Sequence, residues 1–303
     1  MSTIERSNET KPRTRQGKLT GLIYRLLRPL IYVFLSLWAV IVVYPLAWTL
    51  YSALKTDKEI IFTPWSFPAQ LHFENFVRAW TKAQIGDFFF NTLLVVIPSL
   101  VFTLLLSAMV AYVVARYEFP GKKIVYYLIM AGMMFPIFLA LVPLYFIMQF
   151  LGLRNTFHGL ILVYIAFSLP FTVFFLVGFF KTLPKELMEA AIIDGASHTQ
   201  TFFQVMLPLA QPGLVTMGIF NFLGQWNQFI LPTLLMDSTG LQQGQTRYVL
   251  AQGLYFLTLQ QGYQNDWSGL FAAVSMVMIP TLVVYIVFQE KIEKGLTVGA
   301  LKG

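Results

Sequence analysis

The sequence predicts an all-α integral membrane protein with six transmembrane helices and a polar helical elbow between the fourth and fifth of them. Three observations predict it. Of 303 residues, 57% are hydrophobic and only 12% are charged, against roughly 25% charged in a soluble domain. Six charge-free stretches each reach the length of about 20 apolar residues that a bilayer core demands. The charges that remain gather between and outside those stretches.

Taken in order, residues 1–29 form a polar, basic tail. Arg6, Lys11, Arg13, Arg15, Lys18, Arg25 and Arg28 stand among Ser, Thr, Asn and Pro with little to bury, so a mobile tail is expected. The apolar run that follows is longer than the roughly 7–15-residue core of a cleaved signal peptide. Spans are expected at 30–54, 88–115, 124–151, 157–180, 213–236 and 268–289. The loop over 55–87 holds Pro64, Trp65, Phe67, Pro68, Phe73 and Trp80 and is expected along the outer interface, where aromatic rings collect. Residues 88–290 are the main membrane domain, with the elbow loop over 181–211. The last outer loop, Asp237–Trp267, is rich in Gln and Gly, and Tyr248–Phe256 within it fits an interfacial helix. Residues 291–303 form a second tail. Every span carries a proline, which frees a backbone carbonyl and permits a kink.

Lys and Arg set the orientation. Seven lie in the first tail, three in Arg116–Lys123, two in the elbow loop and three after Glu290, while six fall on the opposite side. Bases mark the cytoplasmic face, so both termini and the elbow are expected there. The net charge of +7 sits beside spans and does not imply nucleic acid. With no Cys, and with His72, His158 and His198 at no ligand spacing, no metal site is expected. No ionisable residue lies well inside a span, which argues against a proton- or ion-driven transporter. The chain also lacks a Gly-x-x-x-x-Gly-Lys-Ser/Thr phosphate loop, so it is not expected to bind ATP or to act as an enzyme. Transport would then draw its energy from a partner.

The elbow, Pro184–Pro208, reads as two short helices. Pro184 suits a helix start, and Lys185–Asp194 has no breaker. Gly195 can take the left-handed conformation that ends a helix. Ser197 with Gln200 is a capping-box pattern opening a second helix, which Pro208 is expected to end. These signals alone fit either a surface helix–turn–helix on the membrane or a docking site for another protein. Glu189-Ala190-Ala191, three residues, Gly195, nine residues, then Val205-x-Leu207-Pro208 resembles the EAA loop of ABC-importer permeases, with Val205 where the family usually has Ile. Asp194 and Ala196 fit the same pattern. The resemblance implies the type I ABC importer permease fold in a prokaryotic cell membrane. It also implies an elbow that couples to a cytoplasmic ATPase dimer through Glu189, Ala190, Ala191, Asp194, Gly195, Ala196, Leu207 and Pro208. A second permease subunit and an extracytoplasmic sugar-binding protein are the other implied partners.

The ending supports the same family. Gly295, Leu296, Thr297, Gly299, Ala300, Lys302 and Gly303 resemble the Gly-Leu-Thr-x-Gly-Ala-x-Lys-Gly terminus of carbohydrate-uptake permeases. In the second span, Ser107, Ala111 and Ala115 recur every four residues, a small-residue stripe that permits close helix packing. The fifth span is the most polar. Asn221, Gln225 and Gln228 fall on one helical face, with Trp226 beside them. Amides and an indole are what a sugar site uses, and equally what helices use to bond one another. Residues 220–236 resemble permeases for N-acetylglucosamine or chitobiose. Two other readings are a stand-alone channel or secondary transporter, and a membrane-embedded scaffold or enzyme. The first predicts uptake without ATP. The second lacks intramembrane catalytic groups.

Overall fold

The computed structural model describes residues 15–237, 246–264 and 266–300. They are helical throughout, with no strand among them. The chain forms two compact units, Met1–Tyr51 and Ser52–Gly303. The first is essentially one helix, α1 (Arg15–Ser52), whose apolar part spans Leu27–Ser52. The expected tail over residues 1–14 lies outside the described residues. From Arg15 onward the tail is helical rather than loose, because Lys, Arg and Leu are good helix formers in continuity with the span.

In the second unit, three helices are long and apolar enough to cross a bilayer: Ile85–Arg116, Phe157–Thr182 and Trp267–Ile292. The first two are α4 and α7, and the third is the apolar part of α14 (Trp267–Ala300). They match three of the expected spans to within a few residues. The core is the seam between α4 and α7. Along α4, Ser99, Thr103, Ser107, Ala108 and Ala111 are fully buried, as are Thr172, Val173, Leu176 and Phe180 on α7. Small side chains let the two backbones approach closely, and two of the hydroxyls bond within their own helices, Ser99 Oγ to Val95 O at 2.7 Å and Thr172 Oγ1 to Ser168 O at 2.8 Å.

The expected third and fifth spans are interrupted. The expected span 124–151 is two helices, α5 (Lys122–Met134) and α6 (Ile137–Phe150), which meet at 103°. Pro136 causes the break: it has no N–H to donate, and it holds Phe135 extended at φ −81°, ψ 116°. The expected fifth span, 213–236, is also interrupted. Its helix, α11 (Gln211–Trp226), stops where the Asn227 side chain bonds the Leu223 carbonyl at 2.9 Å. A separate short helix, α12 (Ile230–Leu235), follows. By length and composition the described residues hold four spans, or up to six if α5 with α6, and His198–Leu209 with Gln211–Trp226, are each counted as one bent span.

The segments expected on the outer side are more ordered than loops. Residues 55–87 contain α2 (Asp57–Phe62) and α3 (Glu74–Thr81). Phe62, Trp65, Phe67 and Phe73 are exposed, as expected of an interfacial segment. The interior of the segment is pinned by polar bonds. Asn75 Nδ2 donates to the carbonyls of Ala53 and Lys55, both at 2.9 Å. Arg78 grips Asp266 with two bonds of 2.9 and 2.8 Å and reaches Ser268 Oγ at 2.8 Å. The Ser268 N–H, at the start of α14, donates to Asp57 at 2.7 Å. In the last outer loop the helix runs over Leu250–Gln264 (α13), longer than the expected 248–256. It packs closely on the start of α4: a Cβ at Gly253 would fall 2.2 Å from the Phe88 ring. Its 15 residues reach about 22 Å, short of a bilayer core of about 30 Å. Residues 238–245 of this loop lie outside the described residues.

Burial alone would raise the Asp266 carboxyl, but the bonds from Arg78, the Gly269 N–H and Ser268 outweigh it and hold its pKa below the ordinary 3.8. The clamp therefore contributes fully above that value and is lost as pH falls through the lower folded value. Asp266→Asn is expected to cost about 1–2 kcal/mol near neutral pH. In detergent, thermal unfolding followed from pH 7 to 3 should show the difference between variant and unaltered protein shrinking at the acid end.

Candidate functional site

The elbow is built by two local motifs set back to back. Its first limb, α8 (Lys185–Ile193), ends in a Schellman motif: the Ala196 N–H donates to Ala191 O at 3.0 Å and the Gly195 N–H to Ile192 O at 3.0 Å. Gly195 sits at φ +87°, where a side chain is strained even though nothing crowds the position. The next residue but one, Ser197, opens the second limb with a complete capping box. The Gln200 N–H donates to Ser197 Oγ at 3.3 Å, and the Ser197 N–H to Gln200 Oε1 at 2.8 Å. The bend is thus fixed by main-chain groups of residues 191–200 together with the side chains of Ser197 and Gln200.

The second limb starts as α9 (His198–Gln200), passes through a π-helical turn at Thr201–Met206 and continues as α10 (Leu207–Leu209). Pro208 does not end it. The axis turns by 72° at Ala210 instead, ahead of α11. Pro208 fits inside because the turn around it is the first of α10, where its missing N–H is tolerated.

The limbs differ in burial. None of α8 is buried, and Leu187, Ile192 and Ile193 are exposed at 41%, 40% and 84%. Glu189, Ala190, Asp194 and Gly195 are exposed, while Ala191 and Ala196 are half-buried. The second limb is anchored: Thr201, Phe202, Met206 and Ala210 are buried against the α4–α7 core. Leu207 packs against that cluster and Pro208 is exposed. The arrangement is a bent helical foot, rooted by one limb and bare on the other.

The fifth-span residues sit elsewhere. Asn221 and Gln225 share a face, as expected, and are buried. Asn221 Nδ2 donates to Thr172 Oγ1 at 2.9 Å, and Gln225 Nε2 to Ser168 Oγ at 3.1 Å, tying α11 to α7. Trp226 Nε1 donates to the Val277 carbonyl of α14 at 3.3 Å, and its ring stacks on Phe222. Gln228 lies past the end of α11, where its Oε1 accepts from the Ile230 N–H at 3.3 Å. The three amides do not share one helical face, because Asn227 ends the helix before Gln228. Of the two uses weighed for these groups, the geometry favours bonding between helices. Ser168 and Thr172, one turn apart on α7, are the partners that sequence reading overlooked. Their four-residue spacing was the available signal.

A bent, exposed helical foot joined to long apolar helices belongs to a multi-pass membrane protein. Residues 104–298 match the family described as binding-protein-dependent transport system inner membrane component, and the chain belongs to that family. It is 48% identical over 271 residues to the diacetylchitobiose uptake system permease protein NgcG of Streptomyces coelicolor, covering 89% of this chain and 88% of that protein. The fold is similar to a chain of a bacterial ABC transporter involved in the import of the acidic polysaccharide alginate. That likeness has a TM-score of 0.69 at 20% identity, over 93% of this chain and 99% of that one. A bacterial alginate ABC transporter in complex with an alginate pentasaccharide-bound periplasmic protein matches with a TM-score of 0.59 at 18% identity, over 92% and 96%.

Asn221→Ala and Thr172→Ala are each expected to lower stability by about 0.6–2 kcal/mol, the range for hydrogen bonds between membrane helices. Thermal unfolding of the two single variants and the double variant should show a double-variant loss smaller than the sum.

Proposed function

We propose that the chain is one permease half of an ATP-driven importer in a prokaryotic cell membrane, with both termini and the elbow in the cytoplasm. A second, homologous permease completes the pathway. A pair of ATPase subunits docks on the elbows and performs the hydrolysis. An extracytoplasmic binding protein delivers the cargo, a short saccharide of N-acetylated amino sugars such as diacetylchitobiose. This chain carries out no bond chemistry and binds no cofactor.

The observation that carries the coupling role is the asymmetry of the elbow. A helix with no buried residue, which exposes Leu187, Ile192 and Ile193 on different sides while local bonds close its bend, is open to a partner around its circumference. The cargo reading rests on the likeness to NgcG, in agreement with the resemblance of residues 220–236. Asn221, Gln225 and Trp226 serve the pathway by fixing α11 against α7 and α14, and Gln228 by shaping the turn that follows.

Isolation from native membranes in mild detergent is expected to recover an ATPase, a second permease and a secreted binding protein that binds diacetylchitobiose. In vesicles holding the complex, labelled diacetylchitobiose should enter only with ATP. Gly195→Val, which strains a left-handed position by roughly 1–2 kcal/mol, and Glu189→Lys should each abolish uptake while the chain still inserts. Normal uptake by both variants, or ATP-independent uptake by this chain alone, would overturn the reading.

A further inference from the structure

Two consecutive residues at the end of α4 hold the two limbs of the elbow separately. Arg116 is the last residue of α4, and its Nη2 donates to the Leu183 carbonyl at 2.7 Å. Leu183 closes α7 and immediately precedes Pro184, where α8 begins. Tyr117 leaves the helix in extended conformation, at φ −107°, ψ 149°. Its hydroxyl lies 3.0 Å from His198 Nδ1, on the first residue of α9, and the two rings meet edge to face. One turn back, the Tyr112 hydroxyl is 3.0 Å from that of Tyr117. The Tyr112 ring packs against Phe180 of α7 and Phe202 of the second limb, at 5.9 and 5.2 Å between centroids.

A segment joined to a body at one point can pivot about that point. Through the chain alone, α8 joins α7 at Leu183–Pro184, where rotation of two dihedral angles would swing the foot. Arg116 clamps that junction with a charge-assisted bond. Tyr117 fixes the far end of α8 at His198, and Tyr112 with Phe202 adds a third attachment out of line with the other two. Three such attachments remove the pivot. Because α4 is locked to α7 along its small-residue seam, any displacement of the foot passes into both helices together.

We propose that the C-terminal end of α4 is the lever through which the elbow moves the membrane helices, with Arg116 and Tyr117 as the positioning residues that keep α8 and α9 fixed to it. This deepens, and rests on, the reading of the elbow as the ATPase docking site. It names the element that takes the load.

The chain has no cysteine, so spin labels can be placed directly at Glu118→Cys and Lys185→Cys, both exposed positions on either side of the Arg116–Leu183 bond. In the assembled complex in nanodiscs, the distance distribution between the labels is expected to be narrow and the same with and without ATP. Arg116→Met should broaden it and lower the sugar moved per ATP hydrolysed by about tenfold, within the usual range of coupling between sites. Arg116→Lys, which keeps the charge and one donor, should recover most of both. Tyr117→Phe with His198→Ala should broaden the distribution independently, and it carries the comparison if Arg116→Met does not insert. A label distance that shifts when ATP binds to the otherwise unaltered complex would overturn the lever. So would a narrow distribution with full transport per ATP in both sets of variants. Failure of the docking reading would look different: the ATPase would not co-purify with the unaltered chain. The label distribution of the permease alone would then still decide whether Arg116 and Tyr117 hold the elbow.

Discussion

The close approach of α4 and α7 is the constraint on which the rest of the second unit depends. In lipid there is no hydrophobic gain from pressing two apolar helices together, so association must come from packing and from hydrogen bonds. Ser99, Thr103, Ser107, Ala108 and Ala111 supply a surface narrow enough for Thr172, Val173, Leu176 and Phe180 to seat against it. From this pair everything else hangs. α11 is bonded to α7 through Asn221 and Gln225, α13 rests on the start of α4 at Phe88 and Gly253, and the second limb of the elbow is buried at the other end of the seam.

The two ends of the unit are held by different means. At one, Arg78, Asp266, Ser268 and Asp57 join α2 and α3 to the start of α14 by charge-assisted bonds in a half-exposed setting. A second brace joins the turn after α6 to the base of the last loop, with Asp237 accepting from Arg154 and Asn155 while Arg247 bonds the Asn155 carbonyl. At the elbow the ties are aromatic contacts among Tyr112, Tyr117, Phe202 and His198, with one cationic bond from Arg116 to the Leu183 carbonyl. The first end is thus held by carboxylates paired with arginines, whereas the ties named at the elbow use no carboxylate.

The long spans were legible because a charge-free run of more than 20 residues has few alternatives. The elbow was legible for another reason: Gly195, Ser197 and Gln200 are local signals whose bonds close within a few residues of themselves, and both motifs form as read. Signals that depend on a distant partner were not legible. Composition treats 124–151 and 213–236 as continuous, yet Pro136 and Asn227 break them, since whether a polar or proline residue kinks or stops a helix depends on what receives the freed backbone groups. The offsets of Asn221, Gln225 and Gln228 assumed an unbroken helix and lost one member for that reason. Arg116 entered only as a base counted for orientation and Tyr117 not at all, because their partners lie 67 and 81 positions away.

The back-to-back motifs at Gly195 and Ser197 separate the shape of the foot from its surface. Its bend is written in main-chain bonds and in the side chains of Ser197 and Gln200, and the exposed side chains of Leu187, Ile192 and Ile193 take no part in it. Substitutions of those three side chains can therefore alter what fits against α8, and how tightly, while the angle presented stays the same. A bend organised this way can change its surface one side chain at a time, with no refolding of the helices joined to it.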